Sequence, residues 1–183
     1  MEELALHILD LAENSIAAGA RLVRIAVRQS TADDILTIEI ADDGPGMDAE
    51  TLKQAADPFF TTRTTRRVGL GLSLFEQAAN TAGGKFRLDS SPGAGTRVSG
   101  TFRSSHPDRQ PLGDIAGTLL ALAAGSPQVE FEYLQQTDDH EVVFRTSEIR
   151  SRLGADPINS PRGIAMVRES LRALSETNQA VNC

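Results

Sequence analysis

Four short stretches of this chain carry residue types that could do chemistry together. In Asp10-Leu11-Ala12-Glu13-Asn14-Ser15, Asp10 and Asn14 are four apart and share one face of a helix, with His7 one turn earlier. An asparagine amide oxygen is a hard ligand suited to magnesium. An aspartate can orient or deprotonate a nucleophile. Read alone, the triplet is equally a solvated helix face. The second stretch is Asp42-Asp43-Gly44-Pro45-Gly46-Met47, directly after a run of branched residues. A carboxylate at a strand end can accept from an exocyclic amine such as that of adenine, and Gly44 and Gly46 let a flat ring or a phosphate approach the backbone. Asp-Gly and Pro-Gly are also plain turn formers. The third stretch, Val68-Gly69-Leu70-Gly71-Leu72, opens a helix whose free amides and dipole suit phosphate. The Thr/Arg-rich loop before it offers the guanidiniums of Arg63, Arg66 and Arg67. No Gly-Lys-Ser/Thr follows, so it is not a Walker loop. Ser73-Leu74-Phe75 stands where a dinucleotide fingerprint has its third glycine. The fourth stretch is Gly93-Ala94-Gly95-Thr96, which also suffices as a hairpin turn.

Periodicity supplies the elements that must position these residues. A first helix is predicted from Glu2 to Ala18, with Leu4, Ile8, Leu11 and Ser15 as its packing face and Gly19 as a left-handed cap. Strands follow at Leu22 to Gln29 and Ile35 to Asp42, then a short helix from Asp48 through Ala55. Residues 57–68 read as a loop, Gly69 to Thr81 as a helix, and Lys85 to Ser91 and Thr96 to Arg103 as two strands. The polar stretch Ser104 to Pro111 reads as a linker. Beyond it come a helix from Leu112 to Ala124, a hairpin from Val129 to Thr146 on which Val129, Phe131 and Tyr133 alternate, and a helix from Pro161 to Leu174. This predicts a domain over 1–103, a linker over 104–111, a small α-β-β-α annex for docking or dimerisation over 112–175, and a flexible tail over 176–183.

Each stretch is ambiguous alone, but their order resembles the superfamily of gyrase, heat-shock chaperone, histidine kinase and mismatch-repair ATPases. Asp10 to Ser15 resembles its N box, Asp42 to Met47 its G1 box, Gly69 to Leu72 its G2 box and Gly95-Thr96 its last motif. Asp57-Pro58-Phe59-Phe60-Thr61-Thr62 is similar to the F box in its histidine-kinase form. The resemblance implies an α/β (α+β) two-layer sandwich of the Bergerat type, with ATP and Mg2+ between the helices and the sheet. It implies that Asn14 holds the magnesium, Asp42 reads the adenine amine with Thr96 helping through water, and Gly44, Gly46 and Met47 frame the base. Gly69, Leu70, Gly71 and Leu72 would present the phosphate-binding turn, and Arg63 would approach the terminal phosphate. Asp10 stands where mismatch-repair and chaperone ATPases carry a glutamate, so it is the expected base. Ala17 replaces a lysine common in histidine kinases, and Arg67 replaces a lid glycine.

The resemblance implies an ATP-binding protein like the catalytic domain of a sensor histidine kinase, passing the γ-phosphate to a separate protein. The alternative is an ATP-driven conformational switch, an ATPase or a nucleotide sensor acting on a partner. His7, His106 and His140 are the three histidines available within the chain. Composition narrows the partners. The chain has 183 residues and a net charge of −7, without the basic excess of a nucleic-acid binder. Its one cysteine, Cys183, excludes an internal disulfide framework and a cysteine zinc cage. No apolar run reaches the ~20 residues that span a bilayer. The start Met1-Glu2-Glu3 lacks the basic region of a secretory signal. The expectation is a cytoplasmic protein with a protein partner, a possible homodimer, and neither membrane nor nucleic acid.

Overall fold

The computed structural model describes residues 3–55, 70–172 and 174. Helix α1 (Leu4–Ala17) is followed by β1 (Leu22–Ser30), β2 (Ile35–Asp42), α2 (Ala49–Ala55), α3 (Leu70–Thr81), β3 (Lys85–Ser90) and β4 (Thr96–Arg103). Then come α4 (Ile115–Gly125), β5 (Glu130–Gln136), β6 (Glu141–Arg145), α5 (Thr146–Leu153) and α6 (Pro161–Ser170). The strands form one sheet in the order β3-β4-β2-β1-β5-β6. All neighbours are antiparallel except β1 and β5, which run parallel.

Alternation, interrupted only by the buried Ala26 of β1, explains why this sheet has one wet face and one dry face. Val23, Ile25 and Val27 of β1 and Leu36, Ile38 and Ile40 of β2 are buried, while Arg24, Arg28, Thr37 and Glu39 between them are not. Helices α1, α3 and α4 cover the dry face, which makes the α/β sandwich of two layers. Gly100, in the middle of β4, makes room for Phe75 of α3. A Cβ there would lie 2.7 Å from the ring. Phe75 in turn sits edge-on to Phe86 and Phe102 and against His7.

The C-terminal segment is continuous with this architecture. The hairpin β5–β6 extends the sheet from β1, and α4 packs on α1. Leu112, Ile115, Leu119, Phe131 and Tyr133 belong to the same buried cluster as Leu4, Ile8 and Val23. Residues 104–111, expected as a linker, are tied down. Asp34 accepts from Ser105 N–H at 2.8 Å, and the Leu4 N–H donates to the Pro111 carbonyl at 2.9 Å. Helix α4 starts three residues later than periodicity predicts. Asp114 accepts from the Gly117 N–H at 2.8 Å and caps it, leaving Leu112 as a buried residue before the helix.

His7 is 1% exposed. Its Nε2–H donates to Gln110 Oε1 at 3.0 Å, and its Nδ1 has no partner among the described residues. Burial lowers its pKa below the ordinary value of 6.5, outweighing the opposing Gln110 bond. The folded state therefore declines a proton that the unfolded chain accepts. Stability is full above about pH 6.5 and falls as pH drops below it, by at most ~1.4 kcal/mol per unit. Urea midpoints taken between about pH 7.5 and 5.5 should show this slope, and His7→Gln should flatten it.

Candidate nucleotide site

Helix α1 faces the sheet with Leu4, Ile8, Leu11 and Ser15, which turns Asp10 and Asn14, both half-buried, towards the first turn of α3. There Gly71 is buried. A Cβ on it would overlap Asp10 Oδ2 and lie 3.4 Å from Asn14 Nδ2. With a side chain at 71 the Asp10 carboxylate would have to turn away, so the glycine lets this helix end lie against both polar side chains as they stand. The amide-rich start of α3 and the carboxylate–amide pair of α1 thus form one polar corner. Leu72 is half-buried against the core and Leu70 points outward, 42% exposed. Gly69, Arg63 and the stretch Asp57 to Thr62 lie outside the described residues.

Asp42 ends β2 on the dry face and is the second anchor. Its Oδ2 accepts from Ser15 Oγ–H at 2.7 Å, and its Oδ1 accepts from the N–H groups of Gly44 at 2.9 Å and Thr96 at 3.2 Å. A carboxylate offers about four acceptor positions. Among the described residues three are used, and a lone pair on Oδ2 remains for a further donor. Its neighbour Asp43 has a different task. It takes the N–H groups of Leu22 and Arg21 at 2.8 and 2.7 Å, and these bonds hold its pKa below the usual carboxylate range. The consecutive aspartates thus divide between the site and the start of β1.

The loop after Asp42 closes on the β3–β4 hairpin. The Met47 N–H donates to Ser90 Oγ at 2.9 Å. Ser90 Oγ–H donates to the Gly95 carbonyl at 2.8 Å and lies 3.0 Å from Thr96 Oγ1. Gly46 adopts φ 68° under the Ser91 carbonyl. Gly44 lies so close to Asp42 that a Cβ would stand 2.9 Å from Oδ1. The structure therefore gathers Asp42, Gly44, Gly46, Met47 and Thr96 into one cluster. It brings Asp10, Asn14 and Gly71 into another, and α1 bridges the two through Ser15. Ser15 and Ser90 were missed as site residues. The signal for Ser15 was a hydroxyl on an otherwise apolar packing face. Ser90 had none, because the loop after β2 and the β3–β4 hairpin bring its partners together only in the fold.

A groove of about 410 Å3 opens beside this cluster, with Asp42, Ser90 and Thr96 in its wall. Its floor is Arg24, Ala41 and Arg97, which pair across adjacent strands and face the wet side of the sheet. Asp10, Asn14 and Gly71 do not line it. Of the residues expected to meet a nucleotide, Asp42 and Thr96 thus border the groove, while Asp10, Asn14 and Gly71 stand apart from it.

Among known proteins, the family described as "Histidine kinase-, DNA gyrase B-, and HSP90-like ATPase" matches residues 2–106. The sensor protein kinase FleS of Pseudomonas aeruginosa is 42% identical over 89 residues, 49% of this chain and 22% of that protein. The signal transduction histidine-protein kinase AtoS of Escherichia coli is 37% identical over 95 residues, 52% of this chain and 15% of that protein. The non-motile and phage-resistance protein of Caulobacter vibrioides is 33% identical over 112 residues, 56% of this chain and 13% of that protein. The chain thus spans less than a quarter of the length of these relatives. A solved structure, the N terminal domain of a DNA repair protein, shares the fold with a TM-score of 0.55 at 18% identity, over 85% of this chain and 58% of that one. That overlap reaches well past residue 106, into the C-terminal segment. Among the described residues no helix is long and apolar enough to cross a membrane. With the family matching more than half of its length, and with the N-box, G1 and G2 residues meeting around α1, this chain belongs to the histidine kinase-, DNA gyrase B- and HSP90-like ATPases and carries an ATP-binding, kinase-type domain.

Proposed function

We infer that the chain binds ATP with magnesium and transfers the γ-phosphoryl group to a separate protein. The observation that carries this reading is the corner where Asp10 and Asn14 meet Gly71 at the start of α3. A helix start attracts phosphate oxygens, and a carboxylate with an amide is the donor set a phosphate-bound cation needs at its protein side. No cluster of three or more His, Cys, Asp or Glu side chains forms among the described residues. This fits a magnesium ion held through one or two protein ligands, with phosphates and water completing its shell. Asn14 would supply its amide oxygen. The ion would neutralise charge on the phosphates.

Asp42 orients the base through its remaining lone pair, while Ser15, Gly44 and Thr96 keep its carboxylate fixed. The bond from the γ-phosphorus to the oxygen of ADP breaks as the bond to the acceptor atom forms. A neutral imidazole acceptor attacks with its lone pair. A hydroxyl acceptor must lose a proton, and Asp10 would take it. Within the chain, His7 is buried and held by Gln110, so it is not an accessible acceptor.

The test follows label from ATP marked at its terminal phosphate, with magnesium, in a bacterial extract supplemented with the pure protein. Label on a second polypeptide is expected, lost when Asn14→Ala replaces the wild type. Label released only as free phosphate would overturn transfer and leave an ATPase or switch.

A further inference from the structure

Among the described residues the sheet ends in β3 on one side and β6 on the other. At the β5–β6 turn the Thr137 N–H donates to the His140 carbonyl at 2.8 Å. Bonded and non-bonded positions alternate along an antiparallel pair. Val142 and Phe144 therefore turn their backbone groups towards β5, and Glu141, Val143 and the N–H of Arg145 turn outward, the Arg145 carbonyl being where α5 begins. The side chains of these three share the wet face, and Val143 is 39% exposed.

This outward row is self-complementary. An antiparallel copy placed about a two-fold axis at Val143 sets Val143 against the partner's Val143. It sets Glu141 against the partner's Arg145 and Arg145 against the partner's Glu141. Opposite charges directly across a strand pair are stabilising. The other edge lacks this property. On the wet-face row of β3, Lys85, Arg87 and Asp89, the same operation about the middle residue puts Arg87 against itself, and Arg87 is already bound to Asp89 along its own strand. Basic residues of this kind protect a sheet edge from pairing.

We propose that β6 pairs with β6 of a second copy, so that two chains form a dimer with one continuous sheet. Arg145 already holds Glu148 at 3.0 Å, in an exposed pair that is weak and leaves guanidinium donors for a second carboxylate. The axis stands normal to the sheet, so the dry faces of both copies, and both candidate nucleotide sites, lie on one side. The two β2 strands are then seven strand spacings apart, roughly 34 Å. Each site keeps its own residues and can work alone.

Sedimentation equilibrium of the full chain from about 1 μM to about 1 mM tests this. The wild type should dimerise in that range. Arg145→Glu and Glu141→Arg each set like charges opposite each other twice per dimer, and each should raise the dissociation constant roughly tenfold. The double variant E141R/R145E exchanges the charges and should return to within about threefold of wild type. A monomeric wild type would overturn the proposal and leave the edge to a foreign strand. Single variants that dimerise as wild type does, or a double variant as weak as the singles, would overturn it too.

Discussion

Asp42→Asn should lower ATP affinity by roughly 10- to 100-fold, the worth of one charge-assisted hydrogen bond at ~1.5–3 kcal/mol. The carboxylate serves three protein donors, Ser15 Oγ–H, Gly44 N–H and Thr96 N–H. An asparagine amide can satisfy the two on Oδ1 only by turning its NH2 towards Ser15 and the base. The hydroxyl can reverse its role, but an adenine amine cannot. The change should therefore erase the preference for ATP over inosine triphosphate, which has a carbonyl where adenine has its amine. Calorimetric titration with the two nucleotides measures both effects. Asp43→Asn is the control. Asp43 faces Arg21 and Leu22, so that variant should lose stability and keep the preference. An unchanged ratio in Asp42→Asn would remove Asp42 from base recognition.

Gly46→Ala should cost about 3 kcal/mol of stability, from two sources that add. A side chain at φ 68° carries ~1–3 kcal/mol of backbone strain. The new methyl would also overlap the Ser91 carbonyl and lie 3.1 Å from that of Gly95, an overpacking of ~1–3 kcal/mol. Gly93→Ala separates the two. Gly93 has φ 77°, but a Cβ there meets nothing within 4 Å, so strain alone applies. The melting temperature should fall about 6–12 °C for Gly46→Ala and less than half of that for Gly93→Ala. Because the obstacle is backbone, the loop must lift from the hairpin. The Met47–Ser90 bond then opens, and nucleotide affinity should fall with stability. Equal losses in the two variants would show that the loop yields freely at Gly46.

The order of the motifs was legible in the sequence because each is local. A strand end followed by Asp-x-Gly-x-Gly, or a Gly-x-Gly opening a helix, states its own backbone conformation. Helix α1 was legible because Leu4, Ile8 and Leu11 repeat at helical spacing. What escaped is what depends on partners. Ser15 was read as packing because its position on the apolar face says nothing of a carboxylate 27 residues away. The closeness of Gly71 to Asp10 follows from how α3 docks on α1, and no spacing encodes docking. Alternation of Val129, Phe131 and Tyr133 identified a buried face, but period two does not name the neighbouring strand. Hence a segment expected as an annex stands beside β1. The start of α4 was readable, since Asp114 precedes the apolar run as a cap, and the apolar Leu112 obscured it.

The parallel pairing of β1 with β5 has a kinetic side. Leu22 pairs with Glu130, so the strand at the heart of the sheet waits for a chain segment more than a hundred residues later. Until it arrives, β1 is an edge, and the start of α1 lacks the backbone partners at Pro111 and Leu112. Loop closure over such a span is slow, because its entropy is lost before the contacts repay it. A growing chain therefore exposes an unpaired β1 edge until β5 emerges, and β5 is the strand that seals it. The sequence matched by the ATPase family is in this sense an unfinished sheet, and the C-terminal hairpin acts as its closing piece.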